Sequence, residues 1–307
     1  MKVLYVLGRG RSGSTVFANI LGELDGFFAG GEIRCFWDPV VVRESMCGCG
    51  LPVGECPVWS HALRRLSDVD VDEVAAWQHE IVREHQTYRL LRQPRRSWAT
   101  LERYAQVMGR LYQALAEVTG ARVIVDSSKR PSYAAFLRSV EGVEPHYVHL
   151  VREPRASAYS WQNRRHQSSA GDGHEVTRRG ALNATLRWDL LNLGSEAVIR
   201  KAWGRSLQMR FEDFVAQPRR HVELVRALVD EPSSGSPFVD EHTVLLGANH
   251  TIAGNPSRFV TGPVRLEDKR EWRDAQTRVD RWITTAVALP FLRRYGYPIH
   301  VGSAPAK

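Results

Sequence analysis

Three clusters of side chains in this sequence could act on an anion. The first is "GRGRSGST", Gly8 to Thr15, which packs three glycines, two arginines, two serines and a threonine into one turn. The second is "VDSSK", closing on Lys129, and the third is "LVREPRASAYS", which carries Arg152 and Ser160. A glycine-rich loop that opens a helix gathers backbone N–H groups at the positive end of the helix dipole and so favours an anion. Ser12, Ser14 and Thr15 add hydroxyl donors. Arg9 and Arg11 add charge inside the turn, where an arginine serves no packing purpose.

Two phosphate-binding templates compete for this loop. Gly8, Gly10 and Gly13 spell G-x-G-x-x-G, and Glu32 lies 19 residues beyond the last glycine, near where a ribose-binding acid would stand. That reading implies an NAD(P)-dependent oxidoreductase. It asks for a second apolar strand ending at the acid, whereas "LDGFFAGGE" is broken by glycine and holds only an aromatic pair. Gly8 and Gly13 also have P-loop spacing, but Ser14 occupies the lysine position, so the usual clamp on β- and γ-phosphates is missing. What remains is a cradle for a terminal phosphate carrying a transferable anionic group, with no need for magnesium. Arg152 at a strand's end and Ser160 on the second turn of the next helix can converge on another phosphate.

The elements that must position these groups follow from the apolar periodicity. Residues 2–7 read as a strand, and "STVFANILGEL" carries apolar residues at helical spacing. "ARVIVDSSK", "HYVHLVREPR" and "SLQMRFEDFVAQP" are further short strand runs, the last two leading into helices. This alternation predicts an α/β fold: a central parallel sheet flanked by helices, with the polar clusters at the carboxyl ends of the strands. Residues 68–118 read as a helical insertion and 163–180 as a charged lid. Together these make one domain over 1–298, followed by a frayed tail over 299–307.

Composition narrows the function classes. The chain has 307 residues, 43% hydrophobic and 25% charged, enough to bury a full core. No apolar run approaches the roughly 20 residues that span a bilayer, and "VLYVL" is too short for a signal-peptide core, which predicts a cytoplasmic protein, at most peripheral to a membrane. Lys and Arg total 42 against 34 acidic residues, a net charge of +8 that suits an anionic partner. Cys35, Cys47, Cys49 and Cys56 fall within 22 residues. Because Cys47 and Cys49 are separated by one residue, where zinc sites usually show two or more, the stretch reads as a compact, disulfide-prone loop and not a metal centre. No G-x-S-x-G elbow or H-E-x-x-H pair occurs.

"GRGRSGST" resembles the 5′-phosphosulfate loop of sulfotransferases that use 3′-phosphoadenosine 5′-phosphosulfate (PAPS), and "LVREPRASAYS" resembles their 3′-phosphate motif. The resemblance implies a P-loop-like sulfotransferase fold with Arg9, Gly10, Arg11, Ser12, Gly13, Ser14, Thr15, Arg152 and Ser160 around the donor. "HTIAGNPSRFVTGPVRLEDKREW" looks like the C-terminal loop of bacterial members, which would bring Asn255 and Arg258 to the donor as well. "AGGEIR" is similar to the tyrosylprotein-type enzymes, implying Glu32 as the catalytic base and Arg34 as a substrate contact. A partly desolvated carboxylate beside a transferring anion would have its pKa raised. "VDSSKRP" looks like the segment that supplies Lys129 to the leaving oxygen, beside Arg11, with Asp126 and Ser127 capping the turn. His61, His146 and His149 are the alternative bases. The implied reaction moves a sulfuryl group to a hydroxyl, or failing that an amine, of a small molecule or glycolipid. No metal and no nucleic acid partner is implied.

Overall fold

The computed structural model describes residues 1–92, 98–162, 180–202, 204–232 and 235–300. Five parallel strands form the central sheet: β1 (Lys2–Gly8), β2 (Phe27–Gly31), β3 (Val123–Lys129), β4 (Glu144–Val151) and β5 (Ser206–Arg210), in the order β2-β3-β1-β4-β5. β1 lies in the middle and is buried from Val3 onward, as a continuous apolar run requires when helices cover both faces. Its side chains alternate between two cores. Val3, Tyr5 and Leu7 belong to one, and Leu4 and Val6 to the other.

The helices divide along the same line. α1 (Ser14–Gly22) follows the β1 loop, α2 (Pro39–Glu44) and α3 (Pro57–Arg65) follow β2, and α4 (Val71–Ile81), α5 (Thr87–Arg92) and α6 (Ala99–Thr119) form the expected helical segment. α6 turns its buried Leu101, Tyr104, Met108, Leu111 and Leu115 inward at helical spacing and ends at Gly120. α7 (Pro131–Leu137) follows β3, α8 (Pro154–Gln162) follows β4, and α9 (Ala181–Ile199) precedes β5. α10 (Phe211–Ala216) and α11 (Pro218–Leu228) pack with α1 on the face of Leu4 and Val6. A two-stranded antiparallel ribbon, β6 (Thr243–Leu246) with β7 (Gly262–Arg265), holds the segment 247–261 between its arms.

One expectation is corrected here. "FFAGG" is a strand after all: β2 pairs in parallel with β3, and Gly31 sits at a register shift with φ 77°. Glycine is needed there because a Cβ on Gly31 would lie 2.4 Å from the carbonyl oxygen of Ile252. The buried Arg155 donates to the carbonyls of Pro298 (2.6 Å) and Ile299 (3.1 Å), while residues 301–307 of the expected tail lie outside the described residues. The lid expected over 163–180 falls outside the described residues except for Gly180.

Strand order also decides between the two phosphate templates. In a dinucleotide fold the strand ending at the ribose-binding acid lies beside the first strand. Here β3 separates β2 from β1, so Glu32 ends a strand one place further out.

Candidate active site

The loop between β1 and α1 carries the features of an anion cradle. Gly13 is the N-cap of α1 with φ 83° and offers no side-chain cap, so the first-turn N–H groups have no side chain closing them off. Only glycine fits, because a Cβ at this position would stand 2.1 Å from the ring of Phe211. The hydroxyl of Ser12 is buried without a hydrogen-bond partner among the described residues. A buried polar group in that state costs about 1–3 kcal/mol unless something meets it.

Arg152 joins this loop from the end of β4. Its Nη1 donates to the carbonyl of Arg11 at 2.9 Å, and the guanidinium lies over Phe211, 5.1 Å from the ring centre. Its Nε is buried with no partner among the described residues. Trp188 fixes the strand end by donating from Nε1 to the carbonyl of Arg152 at 3.1 Å. The two motifs, 141 residues apart in the chain, are therefore in direct contact. Ser160 is half-buried on the second turn of α8. Its neighbour Trp161 was not foreseen: the indole donates to the carbonyl of Gly10 at 3.2 Å and carries Arg9 over its ring at 4.3 Å and Arg11 at 5.6 Å. Cation–π contacts of this kind hold both arginines in the turn. Burial lowers the pKa of Arg11, although an arginine stays charged throughout the working range.

Across β3 stands a second group. Lys129 Nζ donates to Glu32 Oε1 at 2.7 Å and to the carbonyl of Ser127 at 2.8 Å. Burial pushes the Glu32 carboxyl upward, but the charge and hydrogen bond of Lys129, with Arg34 and Arg130 behind it, outweigh burial and leave it below its ordinary value. The raised pKa expected for Glu32 is thus corrected by its counter-ion. Arg34 has the complementary shift, raised by the nearby Cys35 and Glu32 groups against the opposing effect of burial. Its Nη2 donates to Cys35 Sγ at 3.2 Å.

Asp126 organises this wall from beneath. Buried completely, it accepts from the Ser128 amide at 2.9 Å, the Ser128 hydroxyl and the Tyr112 hydroxyl at 2.6 Å. Ser128 Oγ then accepts from the Arg34 amide at 3.0 Å. The turn is therefore braced by Asp126 and Ser128, while Ser127 contributes its carbonyl to Lys129. Burial raises the Asp126 pKa to about 6 against these hydrogen bonds.

The segment 247–261 connects the two groups. Ile252 pairs with the end of β2, accepting from the Glu32 amide at 3.0 Å and donating to the Gly30 carbonyl at 3.1 Å. Two residues on, Gly254 is so placed that a Cβ would lie 3.3 Å from Glu32 Oε1 and 3.6 Å from Thr15 Oγ1. Glu32 and the first turn of α1 thus border one backbone position. Asn255 spends its side-chain oxygen on the Ser257 amide at 3.0 Å. Arg258 is 1% exposed, lies over Phe259, and directs Nη1 to the Gly254 carbonyl and Nη2 to the Met46 carbonyl, both at 3.4 Å. These contacts shape the segment from within. Of the four non-glycine residues with left-handed backbone among those described, Arg11 (74°), Lys129 (69°) and Ala253 (52°) lie here. Such conformations cost roughly 1–3 kcal/mol each and collect where geometry is demanded by function.

The alternative bases lie elsewhere in the packing. His149 is buried in β4 against Asn192 Oδ1 at 2.8 Å, and burial lowers its pKa. His146 has its pKa lowered by burial and points Nδ1 at the carbonyl of Glu144. His61 is half-buried on α3. All four cysteines are free, and Cys35 is turned to Arg34. Cys47, Cys49 and Cys56 instead converge with His250, a residue the sequence reading passed over because it lies 194 positions beyond Cys56. These four could hold a metal ion.

The chain compares with known proteins as follows. A profile described as "Sulfotransferase family" matches residues 4–234. No curated protein matches the sequence. Among solved structures, the "Sulfotransferase Domain from the Curacin Biosynthetic Pathway" is 16% identical, with a TM-score of 0.52 over 97% of this chain and 99% of that one. The "Sulfotransferase Domain from the Synechococcus PCC 7002 Olefin Synthase" is 19% identical, with a TM-score of 0.49 over 95% of this chain and 94% of that one. The first likeness bears on the fold alone. The profile match runs from β1 past α11 and takes in the β1 loop, Glu32, Lys129 and Arg152. This chain therefore belongs to the sulfotransferase family.

Proposed function

We propose that this sulfotransferase draws its sulfuryl group from PAPS and delivers it to a hydroxyl, or failing that an amine, of a small molecule or glycolipid. The observation that carries the reading is the seating of Arg152 on the backbone of Arg11, which puts a cation from β4 against a cradle opened by α1. A donor with phosphates at both its 3′ and 5′ positions needs two anion sites within one molecule's reach. The unmet Ser12 hydroxyl and Arg152 Nε fit such a ligand. In this reading Ser12, Ser14, Thr15 and the loop amides hold the phosphosulfate, and Arg152 with Ser160 holds the 3′-phosphate. Asn255 and Arg258 act by shaping the covering segment.

The donor supplies a sulfuryl group on a phosphate leaving group. As the acceptor oxygen bonds to sulfur, the sulfur–oxygen bond to that phosphate breaks and the acceptor proton passes to Glu32. Lys129 serves both ends. Facing the leaving oxygen, it stabilises developing charge, and in doing so it withdraws from Glu32 the influence that keeps this carboxylate weakly basic. Arg34 contacts the acceptor. The positive charge of +8 serves the anionic donor in this reading, with no nucleic acid partner. No helix among the described residues is long and apolar enough to cross a membrane.

The test is ligand-induced stabilisation. Adenosine 3′,5′-bisphosphate should raise Tm in proportion to the logarithm of its concentration, and NADP should not. Stabilisation by NADP and none by the bisphosphate would refute the proposal. Purified protein given PAPS with labelled sulfate and a panel of cell extracts should then label one acceptor class.

A further inference from the structure

We propose that Cys47, Cys49, Cys56 and His250 bind one structural zinc ion, which fastens the cysteine loop to the segment that seats Glu32. The four ligand atoms lie within 4.8 Å of one another, and Cys56 Sγ stands 3.2 Å from His250 Nδ1. Tetrahedral zinc with Zn–S bonds near 2.3 Å separates its ligands by about 3.8 Å, so modest inward movement completes the shell. Three thiolates and one imidazole form a closed set, typical of a structural ion, with the soft donors zinc prefers. A disulfide would satisfy two sulfurs and leave the third, with the imidazole, unexplained.

The loop is built to present sulfur. Cys56 is the N-cap of α3, which places it at the start of that helix, where backbone N–H groups are left open. A tight turn precedes it, with Gly50 at φ 84° donating to the Cys47 carbonyl and Cys47 donating to the Leu51 carbonyl. Open N–H groups at a helix start can serve as the outer shell of a metal-bound sulfur. His250 arrives with its backbone already fixed, since Trp59 Nε1 donates to its carbonyl at 2.7 Å and Gly48 donates to the Thr251 carbonyl at 2.9 Å. Cys35, 12 residues before Cys47, takes no part.

The placement gives the ion a consequence for the site. Two residues after His250, Ile252 exchanges backbone hydrogen bonds with Gly30 and Glu32. An ion at His250 would anchor that pairing from one side, as β6 and β7 anchor the segment from its two ends. The inference does not depend on the identity of the sulfuryl donor.

Metal analysis of protein purified without chelator tests this. About one zinc per chain is expected, retained on dialysis, with Cys56→Ala and His250→Ala losing it and Cys35→Ala keeping it. Loss of the ion should lower Tm by roughly 10 °C. Should the variants fail to fold, cobalt(II) exchanged into the intact protein decides the matter through thiolate charge-transfer and tetrahedral d–d absorption bands. Protein that holds no zinc after expression in zinc-supplemented medium, or octahedral cobalt spectra without thiolate bands, would overturn the proposal. So would equal zinc content in Cys56→Ala, His250→Ala and the parent.

Discussion

The loop after β1 and the wall beyond β3 both sit at the carboxyl ends of parallel strands, yet they hold charge in opposite ways. At the loop, Arg152 rests on a carbonyl and an aromatic ring, and no carboxylate among the described residues pairs with it. At the wall, Lys129 and Glu32 neutralise each other at 2.7 Å. A site of the first kind keeps its positive potential for an incoming anion. The second kind is quiet at rest, because a partly buried pair offers little net stability but suffers when one member is removed or drawn away. The contrast suggests a division of labour: affinity for the donor from the loop, and acid–base response from the wall.

If that division holds, the largest effect should come from the wall. Glu32→Gln should lower kcat by roughly 10²- to 10⁴-fold, the usual worth of a general base, while the Tm shift given by adenosine 3′,5′-bisphosphate stays intact. Unchanged turnover would remove Glu32 from the chemistry. Next comes the loop, where Arg152→Ala should weaken bisphosphate binding by about 10- to 100-fold through loss of a charged hydrogen-bond donor. Calorimetric titration reads this directly, and an unaltered Kd would separate β4 from the donor.

Lys129→Met sharpens the contrast further. With Lys129 paired to it in the free enzyme, Glu32 lies below its ordinary 4.5, so its protonation should place no limb in the profile of kcat/KM above about pH 5. Without Lys129, burial dominates and the acidic limb should move upward into the measurable range. A profile that does not move would mean that the pair is not what sets Glu32.

The smallest effect concerns stability. Asp126 rises from 3.8 to about 6 in the folded chain, so the native state binds more protons between those values and its stability should fall as pH climbs through them. Glu32 acts in reverse: its depressed pKa contributes stability above its unfolded value, lost as pH falls through the folded one. Asp126→Asn should flatten the decline between 3.8 and about 6, as denaturant melts at several pH values would reveal.

Much of the architecture around the β1 loop was legible because its signals are local. Gly13, the hydroxyls that follow it and the strand run before it are contiguous, and the order strand, loop, helix is written in the apolar spacing. Arg152 and Ser160 were legible for the same reason, lying on one strand end and the helix that follows. Trp161 escaped because an aromatic residue on a short helix carries no mark of what it will stack upon. β2 escaped because Gly30 and Gly31 erase the apolar signature of a strand, Gly31 serving the close approach of Ile252 and Gly30 that of Ile33.

By itself, then, the amino-acid order determined the parallel α/β layering, the anion loop and the identity of the charged groups, since hydrophobic period and turn chemistry act over a few residues. Tertiary structure alone decided which of those groups meet. It set Lys129 against Glu32 and so reversed the direction of the Glu32 pKa, put β3 between β1 and β2, and carried His250 back to three cysteines 194 or more residues earlier. Contacts between segments so far apart depend on how sheets and helices pack, and no short-range pattern encodes that outcome.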